Sequence, residues 1–413
     1  MRKFDANNNT KSYLEPMDIL FFLTIFFSII CGYTILDSLS RVLFTIIVFI
    51  KRFKLLPKCV NTYFILEIIF IAYCYYQVKS GIAVNNLVAS DKISTLIVSL
   101  IYYVAIYLYS IKIDKINKLL SLFINASFGG LLVVMLSNIK NLFNGRFGSN
   151  IEGGISLLGI KIGDINSTFI GQIAGIALFF SVMIYWKQKR KMSIIYFVFF
   201  TFAIVISGTR KMLIMVPITM FLITFILEEN KKSLKKIVKA LIAVVVVYLS
   251  YLIIINIPIF YNSIGYRLAN VIDFFKEGST DEASLNTRMR LIEKGKMAYE
   301  QRKIFGWGLD NFRYVINNGG YYAHNNFIEI LVSGGLIGFI IYYLKYLYIL
   351  ITLFITRAKK IDVNKTYING FIILILTLII LEYWQVTYFY RLFMTPFIIV
   401  LSVCKLESVK NKK

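Results

Sequence analysis

Several residue types that support catalysis in soluble enzymes are scarce in this sequence. Charged residues occupy only 16% of its 413 positions, whereas soluble domains typically contain about 25%. There is one histidine, His324, and the four cysteines are scattered along the chain. A zinc site and a disulfide framework are therefore disfavoured, and we expect the protein to hold no metal and no cofactor.

Two nucleotide-related patterns are also missing. The sequence has no Asp-x-Asp pair of the kind that holds a metal-bound sugar nucleotide. It has no glycine-rich phosphate loop followed by Lys and Ser or Thr either, which argues against ATP hydrolysis. Any reaction that the protein catalyses must therefore draw its energy from another kind of donor.

Apolar residues, by contrast, are abundant and arranged in long blocks. They make up 58% of the chain, the mean hydropathy is +0.70, and many blocks approach the ~20 residues that a helix needs to cross a bilayer. Because a spanning backbone must satisfy its own hydrogen bonds, we predict an all-α polytopic membrane helical bundle with about twelve transmembrane helices. The candidate spans are residues 17–36, 38–50, 61–78, 93–111, 119–138, 166–186, 192–208, 211–227, 237–257, 326–356, 367–385 and 390–404.

Basic residues set the predicted orientation. A net charge of +24 would suggest nucleic acid as the partner of a soluble protein, but here 27 of the 46 Lys and Arg residues fall in seven segments on one side of the predicted bundle. The positive-inside rule places these segments, and both termini, in the cytoplasm. We predict a multi-pass protein of the cytoplasmic (inner) membrane, with membrane lipids and no nucleic acid among its partners.

The chain is predicted to form one polytopic membrane domain, 1–413, with two long segments outside. Residues 139–165 are rich in Gly and Asn, and residues 258–325 form the only soluble-like stretch of any size. Loops of this length are usually functional. Apolar residues at helical spacing predict a short amphipathic helix over Thr287–Arg302, so we expect the second segment to form a small helical cap.

The strongest local pattern closes this second segment. The run "FGWGLDNF" begins at Phe305 and "AHNNFIEILVSGGLIGFI" begins at Ala323, so His324 and Asn325 lie where the segment meets the tenth predicted span. A further element, "SGTRK" (207–211), lies between two predicted spans on the outer side.

These motifs resemble the O-antigen polymerase and ligase family of bacterial polysaccharide enzymes. The shared features are a His-Asn pair before a hydrophobic helix with one Glu and three Gly, a preceding Gly-x-Gly with an aromatic residue, an earlier Arg, and a Ser-x-x-Arg element. In this sequence they are His324, Asn325, Glu329, Gly334, Gly335, Gly338, Gly306, Gly308, Phe312, Arg288 and Ser207 to Arg210. The resemblance is specific over roughly residues 200–345. It departs from many members at Gly208 and Thr209, where further Ser residues are usual.

The resemblance implies a metal-independent glycosyl transfer outside the membrane, from a glycan carried on undecaprenyl diphosphate. Fixed cations would stabilise the departing diphosphate, and a histidine would take the proton of the attacking sugar hydroxyl. We predict that His324 is this base and that Arg210 and Arg288 are catalytic cations. The predicted substrate-binding residues are the remaining polar and aromatic candidates, Asn325, Arg290, Arg313, Trp307, Tyr322 and Glu329.

Each of these residues also has a structural explanation. A histidine at the start of a helix is often a capping or packing residue, and Arg210 lies where arginine commonly snorkels to the interface. Tyrosine and tryptophan also populate interface belts. An ionisable residue one turn into a span, such as Glu329, is functional by default or pairs with an arginine.

Three functions are candidates. The first is a polymerase that joins lipid-linked repeat units into capsular or O-antigen polysaccharide, and the resemblance implies a chain-length regulator and a flippase as its partners. The second is a ligase of the same family, which transfers the glycan to another acceptor. The third is a transporter or flippase for lipid-linked sugars, which would leave the outer segment and His324 without an evident role. We favour the polymerase.

Overall fold

The computed structural model has an all-α fold with one small β-hairpin, which confirms the predicted polytopic helical bundle. It describes residues 14–32, 34–111, 116–142, 147, 155–157, 160–163, 166–186, 191–222, 225, 233–277, 283–317, 319–358 and 365–410.

The helices follow one another along almost the whole described chain. The first five are α1 (Pro16–Ile30), α2 (Ile35–Arg52), α3 (Thr62–Lys79), α4 (Asn86–Ser110) and α5 (Ile116–Ser137). The middle of the chain forms α6 (Ser167–Ser181), α7 (Met192–Ile206), α8 (Arg210–Leu213), α9 (Met215–Phe221) and α10 (Ser233–Asn256). The remainder forms α11 (Pro258–Phe260), α12 (Tyr266–Glu277), α13 (Ala283–Gln301), α14 (Phe312–Asn317), α15 (Asn326–Ala358), α16 (Lys365–Leu381) and α17 (Arg391–Lys410).

The predicted count of about twelve spans is not confirmed. Within the described ranges, five helices are long and apolar enough to cross a membrane, or up to six if one bent pair forms a span. The five are Asn86–Ser110, Ile116–Ser137, Ser167–Ile184, Asn326–Ala358 and Lys365–Trp384. Three further apolar helices are shorter: Pro16–Ile30, Met192–Ile206 and Arg391–Cys404.

The second and third predicted spans form the bent pair. The helical stretch Ile35–Cys59 meets Thr62–Lys79 at 90°, where the sequence predicts two separate spans at 38–50 and 61–78. A 3-10 helix that contains Pro57 precedes the bend. Proline removes a backbone donor, which is a common cause of sharp kinks.

The segment 139–165 contains the hairpin, where the sequence predicts only a loop. Strands β1 (Ile155–Leu157) and β2 (Ile160–Gly163) pair in an antiparallel arrangement. The apolar and polar residues of "ISL" and "IKI" alternate as in short strands. The surrounding glycines hide this pattern, because they are more typical of loops.

Helix α15, the tenth predicted span, is divided in two by a break in its backbone. Gly335 has φ 62° and ψ −166°, which lies outside the helical region. The loop 303–308 lies in this break, and a Cβ atom on Gly335 would be 2.3 Å from the carbonyl oxygen of Ile304. A Cβ on Gly306 would be 2.4 Å from the backbone nitrogen of Gly335. Two facing glycines therefore let the two backbones approach closely.

Backbone groups released by the break find partners in the loop. Four hydrogen bonds of 2.7–3.3 Å join the two segments: Trp307 N to Val332 O, Gly308 N to Ser333 O, Leu336 N to Lys303 O, and Ile337 N to Ile304 O. Because an unpaired backbone group costs several kcal/mol in an apolar environment, the loop stabilises a helix shape that would otherwise be unfavourable.

Helix α3 completes this junction with two polar side chains. The Tyr73 hydroxyl lies 3.0 Å from the carbonyl of Phe305 and 2.8 Å from that of Gly334. The Gln77 Nε2 donates to the carbonyls of Phe305 and Ser333, at 2.5 and 3.0 Å. The loop, α15 and α3 are thus held together at one point.

The segment 258–325 is largely helical, with α11 to α14 in its described part. The amphipathic helix predicted over Thr287–Arg302 is confirmed as α13. It packs against the first turn of α15, because a Cβ on Gly295 would lie 2.4 Å from Cγ2 of Ile328. The extracytoplasmic placement of this segment stays a prediction.

Substitution of Gly335 by alanine should destabilise the protein by at least about 2 kcal/mol, because a β-carbon is disfavoured at positive φ and would collide with Ile304. The matched control is Gly334→Ala, whose Cβ would meet no atom closer than 3.8 Å. Thermal unfolding in detergent should show a lower midpoint for Gly335→Ala alone. Equal midpoints for the two variants would contradict the described break.

Candidate functional site

The predicted catalytic histidine lies in a tight turn immediately before α15. His324 has a left-handed backbone, with φ 53°. Asn325 is the N-cap residue of α15, since its Oδ1 accepts the N–H of Ile328 at 3.1 Å. Glu329 reaches back from the next turn, and its Oε2 accepts the N–H of Ala323 at 3.0 Å. Both neighbours of His324 are thus fixed by hydrogen bonds.

This geometry gives two of the predicted substrate-binding residues structural contacts. Asn325 is buried and uses its carbonyl oxygen to cap α15. Glu329 is fully buried, and its second oxygen, Oε1, has no hydrogen-bond partner among the described residues. Glu329 therefore stabilises the turn through Oε2, while its Oε1 can still form a further hydrogen bond.

The surroundings of His324 favour its neutral form. Burial, followed by the positive charges of Arg288 and Lys211, lowers the pKa of His324 from 6.5 to about 4. The imidazole is therefore uncharged at neutral pH and able to accept a proton. The two cations beside it would attract an anionic ligand.

Arg288 reaches this position because α13 is packed on the start of α15. Leu291, on the same helix, is buried in a small apolar cluster with Phe312 and Val332. Arg290 lies on the same helix but is exposed, since two residues correspond to about 200° around a helix. The structure thus brings Arg288, and not Arg290, to His324.

The "SGTRK" element is anchored to α6. The Thr209 hydroxyl donates to the carbonyl of Ser167 at 3.0 Å. A Cβ on Gly171 would lie 2.7 Å from Cβ of Thr209, so only glycine permits this close approach. The short helix α8 follows directly and carries Arg210 and Lys211.

The two basic residues of this element have different partners. The Arg210 guanidinium donates to the carbonyl of Arg267 at 3.1 Å. Lys211 donates to Oε1 of Gln385, and its charge acts on His324. Lys211, like Arg288, therefore acts electrostatically on the imidazole, whereas the sequence motif predicts that role for Arg210. Adjacent basic residues look alike in a sequence, and only the path of the short helix separates them.

Gln385, which no sequence motif predicts, also contacts Lys211. Its Oε1 accepts hydrogen bonds from both Lys211 and Gln172, while its Nε2 is buried without a partner among the described residues. The segment 382–390 is held against the start of α15, because Asn326 Oδ1 accepts the N–H of Thr387 at 3.0 Å. No motif in the sequence links this segment to His324.

Arg313 and Tyr322 belong to a second charged cluster. The Asp310 carboxylate accepts the Arg313 guanidinium at 2.8 Å and lies 3.5 Å from the Lys92 ammonium. The Arg313 guanidinium also lies 4.9 Å from the centre of the Tyr322 ring. Burial raises the pKa of Asp310 above its usual value, and the charges of Lys92 and Arg313 oppose that rise.

Trp307 contacts other residues of the helical cap, the segment 258–325. Its Nε1 donates to the carbonyl of Ala298 at 2.9 Å, and the Arg302 guanidinium covers its ring at 4.0 Å. These contacts give Trp307 a structural explanation. Its predicted contact with a sugar stays a prediction.

Comparison with known families supports the resemblance predicted from the motifs. Residues 195–343 match a family model described as O-antigen ligase. This range includes the "SGTRK" element, α13, the loop 303–308 and His324. The match supports assignment to an O-antigen ligase-like family and points to a glycosyl-transferring membrane enzyme. A search of curated proteins found no match for the sequence.

The pKa of His324 can be measured directly, because it is the only histidine in the chain. NMR of protein labelled with ¹⁵N-histidine, purified with a histidine-free tag, should show one imidazole that titrates near pH 4. Arg288→Gln should raise the titration midpoint towards 6.5, whereas the control Arg290→Gln should leave it unchanged. A midpoint at or above 6.5 in the wild type would contradict the described environment.

The same shift affects stability. Since the pKa of His324 is lower in the folded protein than in the unfolded chain, the unfolded chain takes up the proton first as the pH falls. The contribution of neutral His324 to stability is therefore complete above pH 6.5 and is lost as the pH falls towards 4.

Proposed function

We propose that the protein is a polymerase that joins undecaprenyl-diphosphate-linked oligosaccharide repeat units into capsular or O-antigen polysaccharide. The reaction would take place on the outer side of the cytoplasmic membrane and without a metal. The observation that carries this proposal is the neutral His324 beside Arg288 and Lys211, within the part of the chain that matches the O-antigen ligase family.

His324 acts as the general base. A hydroxyl at the nonreducing end of the acceptor glycan attacks the anomeric carbon of the donor glycan, and its proton passes to the imidazole. A new glycosidic C–O bond forms while the C–O bond to the diphosphate breaks. The diphosphate leaves with the electron pair of the broken bond.

Arg288 and Lys211 stabilise the negative charge that develops on the leaving diphosphate. Arginine binds phosphate oxygens in a bidentate manner. Their charges also lower the pKa of His324 in the free protein, and a bound diphosphate would offset them. Donor binding therefore raises the basicity of His324, so the base becomes stronger when the donor is in place.

The contacts between segments agree with the predicted grouping of the loops at two ends of the bundle. The start of the first predicted span, at its predicted cytoplasmic end, lies next to a predicted cytoplasmic segment, because Asp18 pairs with Lys118 at 2.6 Å. On the predicted outer side, the N–H of Val84 donates to the carbonyl of Trp307 at 3.1 Å. Segments assigned to the same side by their charges thus contact each other.

A ligase that uses the same donor and another acceptor is the second candidate, since O-antigen ligase is the description of the matched family. The transporter hypothesis gains no support from that match. Polymerase, ligase and transporter predict different glycans, so one experiment separates them.

In a deletion strain, His324→Ala should collapse the long glycan ladder to single repeat units, because loss of a general base typically costs about 10²–10⁴-fold in rate. Lipid-linked and cell-surface polysaccharide would be resolved on gels. Lys296→Ala is the matched control and should keep the ladder, since Lys296 is exposed on the same helix as Arg288.

Other outcomes would point elsewhere. Loss of surface glycan with long lipid-linked chains retained would indicate a ligase. A normal ladder from expressed His324→Ala protein would contradict the assigned base, and dependence on charged residues in the spans but not on His324 would favour a transporter.

A further inference from the structure

A pair of cations shares one buried carboxylate close to the proposed transfer site. Asp310 is 1% exposed, and its Oδ2 lies 2.8 Å from the Arg313 guanidinium and 3.5 Å from the Lys92 ammonium. Its other oxygen accepts the Tyr388 hydroxyl at 3.3 Å. Asp310 also has a left-handed backbone, with φ 61°, so its carboxylate is fixed by several constraints.

Both cations of this cluster have hydrogen-bond donors that the cluster itself does not use. In the described part of the chain, Asp310 is the one carboxylate that forms an ion pair with Lys92 or Arg313, and the buried Glu329 carboxyl also interacts electrostatically with both cations. The Arg313 Nε is buried and has no hydrogen-bond partner there. Among the described residues, the Lys92 ammonium makes no hydrogen bond shorter than its 3.5 Å contact with Asp310. Both cations therefore have donors to offer an anionic ligand.

Aromatic rings surround these donors. The Lys92 ammonium lies 4.1 Å from the centre of the Phe389 ring and 5.7 Å from that of Tyr322. The Tyr322 and Phe389 ring centres are 5.6 Å apart and the rings are tilted by 38°. Both rings are only partly buried. Ring faces next to hydrogen-bond donors suit a ligand with apolar C–H faces and polar edges, as a sugar has.

The cluster adjoins the proposed base. Tyr322 precedes His324 by two residues, which span at most about 7 Å. The Glu329 carboxylate holds the intervening Ala323 through its backbone N–H. A glycan that reaches His324 would therefore pass beside Tyr322, and neighbouring sugars would occupy the two places.

We propose that Lys92, Arg313, Tyr322 and Phe389 form a subsite for an acidic sugar, in which the two cations bind the sugar carboxylate and the rings contact its faces. This proposal rests on the proposed function, because it names the kind of glycan that the enzyme takes. The repeat unit would carry a uronic acid, and the cluster would select it against a neutral unit.

Binding can be tested with two small sugars that differ only at C6. Methyl β-D-glucuronide carries a carboxylate there, and methyl β-D-glucoside carries a hydroxymethyl group. Ligand-observed NMR with the purified full-length protein should show binding of the glucuronide at least about tenfold stronger than that of the glucoside. Salt should weaken the binding of the glucuronide.

Variants then assign the binding to this cluster. Lys92→Met should lower glucuronide affinity about tenfold, and Lys92→Arg should restore most of it. Lys303→Met is the matched control, because Lys303 is exposed and pairs with Glu300 on the surface; it should leave the affinity unchanged. Should Lys92→Met fail to fold, two other measurements test the proposal. Phe389→Leu should weaken glucuronide binding, and salt should weaken glucuronide binding to the wild type.

Equal binding of the two sugars, or an affinity unchanged by Lys92→Met, would overturn the proposal. Inorganic pyrophosphate is a third probe. If it binds in a Lys92-dependent manner and the glucuronide does not, the cluster is a diphosphate site and the proposal is wrong. The result is independent of the transfer reaction, since His324→Ala protein should still bind the glucuronide even where the polymer is lost.

Discussion

The insertion of the loop 303–308 into the broken helix α15 is the contact on which the arrangement of the site depends. A helix interrupted at Gly335 exposes backbone groups that an apolar environment cannot satisfy. The loop satisfies them, and Tyr73 and Gln77 of α3 add side-chain hydrogen bonds. Since the loop connects α13 to α14, the same contact fixes the helix that carries Arg288. The cap is therefore anchored in the bundle, although its sequence is soluble-like.

The charges around His324 fit the proposed reaction. A histidine kept neutral by burial and two nearby cations is a poor base in the free protein, and an anionic donor would reverse that effect. A second cationic cluster, around Asp310, includes Tyr322, which precedes His324 by two residues. Positive charge is thus concentrated around residues 322–325. The backbone there is fixed by the N-cap residue Asn325 and by the Glu329 carboxylate.

Ionisable residues inside the apolar helices have specific partners. Glu67 and Lys345 form a buried ion pair at 2.7 Å between α3 and α15. Glu382 is fully buried and accepts hydrogen bonds from four side chains, those of Asn326, Tyr343, Tyr346 and Thr387. Burying a charge is costly unless it is paired and hydrogen-bonded. These pairs therefore specify how α3, α15 and the segment after α16 fit together.

The sequence alone determined the membrane class, the all-α fold, the helix at α13 and the motifs around His324, because these depend on composition, periodicity and short-range spacing. It did not determine the number of spans, the 90° bend before α3 or the break at Gly335, because apolar runs look the same whether or not their backbone is broken. Only the tertiary structure placed Lys211 and Arg288 beside His324, and Lys92 beside Arg313. Those residues are distant in sequence, and their meeting depends on how the helices pack.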